Sequence, residues 1–341
     1  MSSSLTVADP QPFAAAGTRS PVAWVLHDGK AGMRSQALGL AEATRFRLVE
    51  KPLGIRRPWD TLPPQLWPRS RWTVWDGPSQ LAPPWPDLVI GCGRNTVVPA
   101  LAIRGAAGRS TFLAQVQDPR MRRAEFDLLV VPEHDRLRGP NVIVSRGAMH
   151  RVTPLLLAAG RNRFAALAAI PRPVVTVLIG GGNRAYRLNL HRIAEIADAI
   201  ARILRERGGC ALVTPSRRTG EAGWKLIQDR LAGLPAIVWD GSGENPYFAY
   251  LALADAFLVT ADSVSMISEA AATGKPVYIL DLAGGSAKFS RFHRLMREAG
   301  ITRPFAGHLE TWTYPIPQET ARSGAVLRDL VLSRLDRRQP R

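Results

Sequence analysis

Three stretches of this chain place glycine, hydroxyl, carboxylate and cationic side chains close together, each directly after an apolar run. The first is Gly180-Gly181-Gly182-Asn183-Arg184. Glycines let backbone N–H groups approach an anion closely, and a helix that follows favours negative charge at its start. With Arg184 and Arg187 nearby, this is chemistry for holding a phosphate or diphosphate, although it matches neither the dinucleotide fingerprint nor the Walker loop. A tight turn without a ligand is the plain alternative. The second stretch runs from Thr260 to Leu280. Ser263, Ser265 and Ser268 crowd the start of a helix, where a hydroxyl can cap the helix or help to bind an anion. Glu269, one turn further on, is a carboxylate able to accept both hydroxyls of a ribose, or is simply a surface glutamate.

The third stretch is His27-Asp28-Gly29-Lys30-Ala31-Gly32, continuing to Gln36. Asp28 and His27 are candidate general bases, since either can take a proton from an acceptor hydroxyl. Lys30 and Arg34 are cations for an anionic acceptor. Smaller features add Ser216, Arg217 and Arg218 after a strand, and Asn245 at the start of a helix. Arg94 and Asn95 follow another strand, and His134 stands beside Asp135. Each also has a structural reading as a cap, a packed side chain, a solvated basic turn or a hydrogen-bonded pair.

Absent motifs narrow the chemistry. There is no His-Glu-x-x-His and no Cys-x-x-Cys. The histidines at 27, 134, 150, 191, 293 and 308 show no metal spacing, and no two aspartates stand two apart. A diphosphate would therefore be neutralised by arginines, lysines and helix N-termini, with no metal and no resident cofactor. No Gly-x-Ser-x-Gly elbow points to an α/β-hydrolase, and no zinc finger or RNA-recognition signature points to nucleic acid.

The elements that must position these residues alternate. Strands are expected at 22–26, 87–93, 110–117, 126–132 and 141–145, and then at 174–182 (running into the glycine loop), 210–216, 236–240, 256–262 and 276–282. Helices are expected at 35–44, 97–106, 190–207, 221–232, 247–254 and 264–273, with a helical stretch around 154–170 before the second series. Continuous apolar strands separated by helices are the mark of buried parallel sheets. Residues 52–86, rich in Pro and Trp, fit no regular element. The reading is an α/β protein of two Rossmann-like domains facing across a cleft, with ligands on the loops at the carboxyl ends of the strands. The expected division is a disordered leader over 1–20, an acceptor-side domain over 21–153 and a linker over 154–173. A donor domain over 174–318 follows, then a C-terminal helix and tail over 319–341, the helix expected to pack toward the first domain.

With 341 residues the chain has room for two full cores. Lys and Arg number 45 against 28 Asp and Glu, a formal charge of +17, yet only five of the cations are lysines. Arginine bias can reflect composition as much as function. The charge still favours an anionic partner: a nucleotide, a phosphate or an acidic lipid surface. Two cysteines, Cys92 and Cys210, cannot build a disulfide framework. No apolar run is long enough for a membrane span, and no export signal is seen at the start.

The ordered set DGKAG with Gln36, PDLVIGCGR (86–94), FDLLVVPEHD (126–135), NVIVSRGAMHRVT (141–153), VLIGGGN (177–183), SRRTG (216–220), NPY (245–247) and TADSVSMISEAAATGKPVY (260–278) resembles the mitochondrial-fission Elm-type family over residues 22–305. Its compact length looks like a bacterial member. The second half is also similar to the donor domain of GT-B glycosyltransferases, such as the enzyme that adds N-acetylglucosamine to the lipid-linked peptidoglycan precursor. That resemblance implies contact of Gly181 and Gly182 with a donor diphosphate, and places Ser263, Ser265 and Glu269 on phosphate and ribose. The N-terminal loop departs from that group, with DGKAG where a Gly-Gly-His type loop is usual.

The reading that follows is a metal-independent, nucleotide-sugar-dependent glycosyltransferase with a cell-envelope or lipid-linked acceptor. Asp28 is its catalytic residue. Gly181, Gly182, Asn183, Arg184, Ser216, Arg217, Arg218, Asn245, Ser263, Ser265 and Glu269 form its donor side. His27, Lys30, Arg34, Arg94, Asn95 and His134 form its acceptor side. The nucleotide sugar is a co-substrate. The expected location is cytoplasmic, peripheral to the inner face of an anionic membrane, with no nucleic-acid partner. A non-catalytic adaptor on the same scaffold is the alternative, and a UDP-sugar epimerase, for which only His134 with Asp135 and Asp28 offer an acid–base set, is the second.

Overall fold

A computed structural model of the chain describes residues 19–68, 70, 73–75 and 81–338. The leader expected over 1–20 lies almost wholly outside them. The chain forms two compact units. The first comprises residues up to Ser145, Met149–Arg151 and the C-terminal segment from Gln318. The second comprises Arg146–Ala148 and Val152–Pro317.

The first unit carries six parallel strands: β1 (Val22–His27), β2 (Arg47–Pro52), β3 (Leu88–Cys92), β4 (Phe112–Val116), β5 (Leu128–Pro132) and β6 (Val142–Ser145), in spatial order β2-β1-β3-β4-β5-β6. Alternation along β1 builds a core on each face. Ala23 and Val25 pack with Leu38 and Leu40 of α1 (Ala31–Glu42) and with Leu327 and Val331 of the C-terminal helix. Trp24 and Leu26 pack with Leu101 and Ile103 of α2 (Val97–Ala107). Each large apolar side chain removed from water in this way stabilises the fold by roughly 1.5–3 kcal/mol.

The second unit repeats the plan with β7 (Val174–Ile179), β8 (Cys210–Pro215), β9 (Ala236–Val238), β10 (Ala256–Thr260), β11 (Val277–Leu280) and β12 (Thr302–Pro304), in order β9-β8-β7-β10-β11-β12. Helix α3 (Pro154–Arg163) falls in the segment read as a linker, but Val152–Pro317 is one unit and α3 is part of it. Thr153 caps it, its hydroxyl accepting the Leu156 N–H at 3.1 Å. Helix α4 (Leu190–Arg207) begins where Asn189 accepts the Arg192 N–H and ends at Gly208, whose φ of +68° few other residues adopt. Its Ile193, Ile196, Ile200 and Leu204 meet Val175, Val177 and Ile179 of β7. Helices α5 (Glu221–Leu231), α6 (Tyr247–Leu253), α7 (Val264–Ala271) and α8 (Ala287–Glu298) complete the unit.

The chain then returns to the first unit as α9 (Glu319–Asp336). Gly324 lies so close to α1 that a Cβ there would stand 2.2 Å from that of Ala43. Thr320 accepts the His150 N–H at 3.2 Å.

Candidate functional site

In an open parallel sheet the crevice for a ligand forms where the strand order reverses, beyond the carboxyl ends. In the second unit that point lies between β7 and β10, and the glycine loop and the Thr260–Ser263 turn leave the sheet side by side there. The backbone of the loop is tightly engaged. Gly180 N–H donates to Thr260 Oγ1 at 2.8 Å, and Gly181 N–H donates to Asp262 Oδ2 at 3.0 Å. Thr260 donates to Asp262 Oδ1 at 2.7 Å. The Arg218 guanidinium reaches the same carboxylate at 2.8 Å and donates to Gly181 O at 2.8 Å. Ser216 and Thr219 both donate to Gly180 O at 2.6 Å.

The Asp262 side chain is wholly buried. A buried carboxylate thus occupies the backbone donor that the sequence reading assigned to a diphosphate. Gly180 and Gly181 are required by this packing: a Cβ would meet Asp262 at 2.4 Å in one case and the Arg218 backbone at 2.4 Å in the other. Gly182 is exposed, with nothing nearer to such a Cβ than Tyr186 O at 3.8 Å. Asn183 folds the loop back, its Oδ1 accepting the N–H groups of Ala185 and Tyr186. Arg184 and Arg217 are exposed.

Helix α7 starts at Ser263, which accepts the Met266 N–H at 3.4 Å and so acts as its cap. Ser265 lies partly buried in the first turn. Glu269 is buried, and its Oε2 accepts the Tyr247 hydroxyl at 2.6 Å. Burial, together with the adjacent Glu269 carboxylate, raises Tyr247 well above the usual phenol value. Asn245 accepts the Tyr247 N–H at 3.0 Å, turning the chain into α6. Asp262, Thr260, Thr219 and Tyr247 are members of this cluster that the sequence reading did not single out. An aspartate and a threonine at the end of an apolar strand, opposite a triple glycine, were the signal available.

In the first unit the strand order reverses between β1 and β3, and the candidates there form two adjoining networks. Asp28 is bound by the Lys30 ammonium and by Asn95 Nδ2, the latter at 2.8 Å. Burial alone would raise the Asp28 carboxyl; the hydrogen bonds and charge of Lys30, with Asn95, outweigh it and hold the group below its ordinary value. His27 is buried, its Nε2 3.2 Å from Glu50 Oε2, and Arg34 grips Glu50 through two bonds of 2.7 Å. The His27 hydrogen bond and the Arg34 pair lower Glu50 to about 2. Arg94 donates to Asn95 Oδ1 at 3.2 Å. His134 is buried after β5, 3.9 Å from Asp135. Helix α1 begins at Ala31, earlier than its sequence pattern predicts, so only 28–30 form the loop. Gly29, at φ +76°, makes its turn, and Gly32 lies inside the helix. Among the described residues no group of three or more His, Cys, Asp or Glu side chains stands ready to hold a metal ion.

Two parallel-sheet, Rossmann-like domains, each with its polar cluster at the point of strand reversal, define a protein of the GT-B fold class. The family model for mitochondrial fission ELM1 matches residues 31–330, and the chain belongs to that family. It is 33% identical over 274 residues to the Arabidopsis thaliana mitochondrial fission protein ELM1, a match covering 71% of this chain and 63% of that protein's length. In fold it is similar to the Methanocaldococcus jannaschii UDP-GlcNAc 2-epimerase solved with UDP-GlcNAc and UDP, at TM-score 0.53 and 14% identity, covering 91% of this chain and 99% of that one. A Listeria monocytogenes protein, a candidate UDP-N-acetylglucosamine 2-epimerase, aligns at TM-score 0.53 and 11% identity, covering 94% and 98%. No helix among the described residues is long and apolar enough to cross a membrane.

Proposed function

We propose that the second unit binds a nucleoside-diphosphate sugar and that the protein transfers the sugar to a hydroxyl acceptor. The observation that carries this reading is the meeting of three features at one strand reversal: the glycine loop, the serine-capped start of α7 and the buried Glu269–Tyr247 pair. Glu269 is the carboxylate for the ribose hydroxyls. Ser263, Ser265, Gly182 and the exposed Arg184 and Arg217 are the groups for the diphosphate. Their charge and the helix terminus would neutralise it without a resident metal, and such donors act most strongly on the charge that develops on a leaving group. Support also comes from the fold neighbour that carries UDP-GlcNAc and UDP.

In the transfer, the acceptor oxygen bonds to the anomeric carbon while the bond from that carbon to the diphosphate breaks. The nucleoside diphosphate leaves with the electron pair, and the acceptor proton passes to Asp28. A lipid-linked or envelope glycan at an anionic membrane surface is the acceptor class that the basic charge of the chain favours.

A second reading has its own observation. Asp28 is held by Lys30 and Asn95, and Asp262 fills the Gly181 donor. Both suit a protein that keeps nucleotide binding without transfer and serves as an adaptor. A thermal-shift screen of nucleotides and nucleotide sugars, with Glu269→Ala beside the wild type, tests the common core, because a ligand of the folded state raises the melting temperature. A shift with one nucleoside diphosphate that is lost in the variant supports the site. No shift with any of them rejects it. Product analysis of the bound nucleotide sugar then separates the activities: free nucleoside diphosphate for transfer, an epimeric sugar for epimerisation, unchanged ligand for the adaptor.

A further inference from the structure

At the amino ends of β4 and β5, the opposite end of the strands from Asp28, Arg104, Arg109, Asp127, Arg334, Arg337 and Arg338 line a cavity of about 260 Å³. Five arginines and a single carboxylate line it, and only Arg104 and Arg334 pair with that carboxylate. Guanidinium cannot relieve this crowding by losing a proton, and an anion is the ligand that complements it.

The network around Asp127 is ordered. Its Oδ1 accepts from Arg334 at 2.7 Å, and its Oδ2 accepts from the Leu113 N–H at 2.7 Å and from Arg104. Arg334 lies over the Phe112 ring, 4.4 Å from its centroid, which fixes the plane of its fork. Arg338 is anchored on the carbonyls of Arg109 and Ser110. The Nε of Arg104 is buried with no hydrogen-bond partner. Arg109 and Arg337 are exposed at the rim. Asp127 therefore uses its two oxygens to set two guanidinium groups in place and leaves the cavity strongly cationic.

We propose that this cavity is a binding site for a phosphate group, held by guanidinium forks as phosphates commonly are. The phosphate can be presented by a free phosphorylated molecule or by a lipid headgroup. Val326 and Leu330, both exposed on α9, lie on the helix face that also carries Arg334 and Arg337, with spacings of four, eight and eleven residues. An apolar stripe running into a cluster of arginines suits a headgroup with its acyl chains close by. This site is independent of the nucleotide-sugar reading and stands or falls without it.

The test uses the full chain, inorganic pyrophosphate as the free probe, and vesicles of phosphatidylcholine with and without phosphatidylglycerol. The variant is Arg109→Glu with Arg337→Glu, both at exposed positions. Arg161→Glu with Arg205→Glu, on exposed positions of the second unit, makes the same change in net charge. Losing two charge-assisted contacts is expected to weaken binding by about tenfold or more in the cavity variant, against a small change in the control. Loss confined to pyrophosphate assigns the site to a soluble ligand. Loss confined to the phosphatidylglycerol vesicles assigns it to a membrane. Equal loss in both variants, or no binding of either probe by the wild type, overturns the proposal.

Discussion

The Asp262 carboxylate stands 3.0 Å from the Gly181 amide nitrogen and 2.8 Å from the Arg218 guanidinium, wholly buried between them. The glycine loop of the second unit thus holds an internal anion where a phosphate oxygen would otherwise sit. Removing that carboxylate leaves the Gly181 N–H unsatisfied and an arginine without its partner. Asp262→Ala is therefore expected to lower stability by about 2 kcal/mol, the cost of an unmade hydrogen bond to a charged group. Pyrophosphate should then raise the melting temperature of the variant more than that of the wild type, since the vacated donors can take an external anion. Equal shifts in the two proteins would show that the loop is purely structural.

The three glycines of this loop should not behave alike. Ala at Gly180 or Gly181 drives a methyl group to 2.4 Å from Asp262 or from the Arg218 backbone. Overpacking of this kind costs about 1–3 kcal/mol. Ala at Gly182 meets nothing within 3.7 Å and should leave the urea midpoint unchanged, while reducing the nucleotide-induced thermal shift if the diphosphate lies against that backbone. The pattern expected is two destabilised variants and one stable variant with weakened binding.

Strong periodicity made most of the architecture legible before the structure. Continuous apolar runs such as VVTVLI and AFLVT are buried on both faces and admit one reading. The Ile193, Ile196 and Ile200 stripe likewise marked α4 to its ends. Three of the named elements escaped: β2, α8 and β12, the last a strand of only three residues. Strand β2 lies at the sheet edge, so its RLVEKP sequence is half-exposed and carries no run of apolar residues. Helix α8 sets Phe292 and Met296 on a buried face against Lys288, Arg291, Arg294 and Arg297, a plain amphipathic pattern in the stretch between 282 and 319 to which the sequence reading gave no element. In the site, the glycines, Ser263 and Glu269 were visible because type and position coincide. The role of Asp262 was not, because it depends on β7 and β10, more than 70 residues apart in the chain, lying side by side in the sheet.

Tyr247 donates to a carboxylate that is itself buried. Tyr247→Phe removes that donor with little change of shape, and a loss of about 1.5–3 kcal/mol is expected in urea denaturation. If Glu269 is the residue that meets the ribose, Tyr247→Phe should retain a reduced nucleotide shift, whereas Glu269→Ala should abolish it. Abolition by both would make the pair one indivisible unit.

Among the contacts that hold the last helix to the first unit, its passage over the end of α1 depends on one small residue, Gly324. A Cβ on Gly324 would lie 2.2 Å from that of Ala43, a distance no backbone can keep. Gly324→Leu should undock α9, and hydrogen exchange should then show lost protection of 319–336 together with exposure of the Leu38 and Leu40 face of α1. Retained protection in both segments would mean that the helices separate slightly and repack.

Glu50 gives a pH dependence of definite sign. Its carboxyl stands at about 2 in the folded protein against an ordinary 4.5, through His27 first and then Arg34. Between those values the unfolded chain binds the proton and the folded one does not, so falling pH favours unfolding. The stabilisation is complete above 4.5 and fades as the pH drops toward 2. Glu50→Gln removes the charge but keeps the shape. The difference in melting temperature between wild type and variant should therefore be positive and level at neutral pH, then shrink steadily below the ordinary glutamate value. Because Glu50 is more than a third exposed, solvent screens the pair and the plateau should be modest. A difference that stays constant down to strongly acid pH would show that the His27–Glu50–Arg34 network contributes packing alone and no charge-dependent stability.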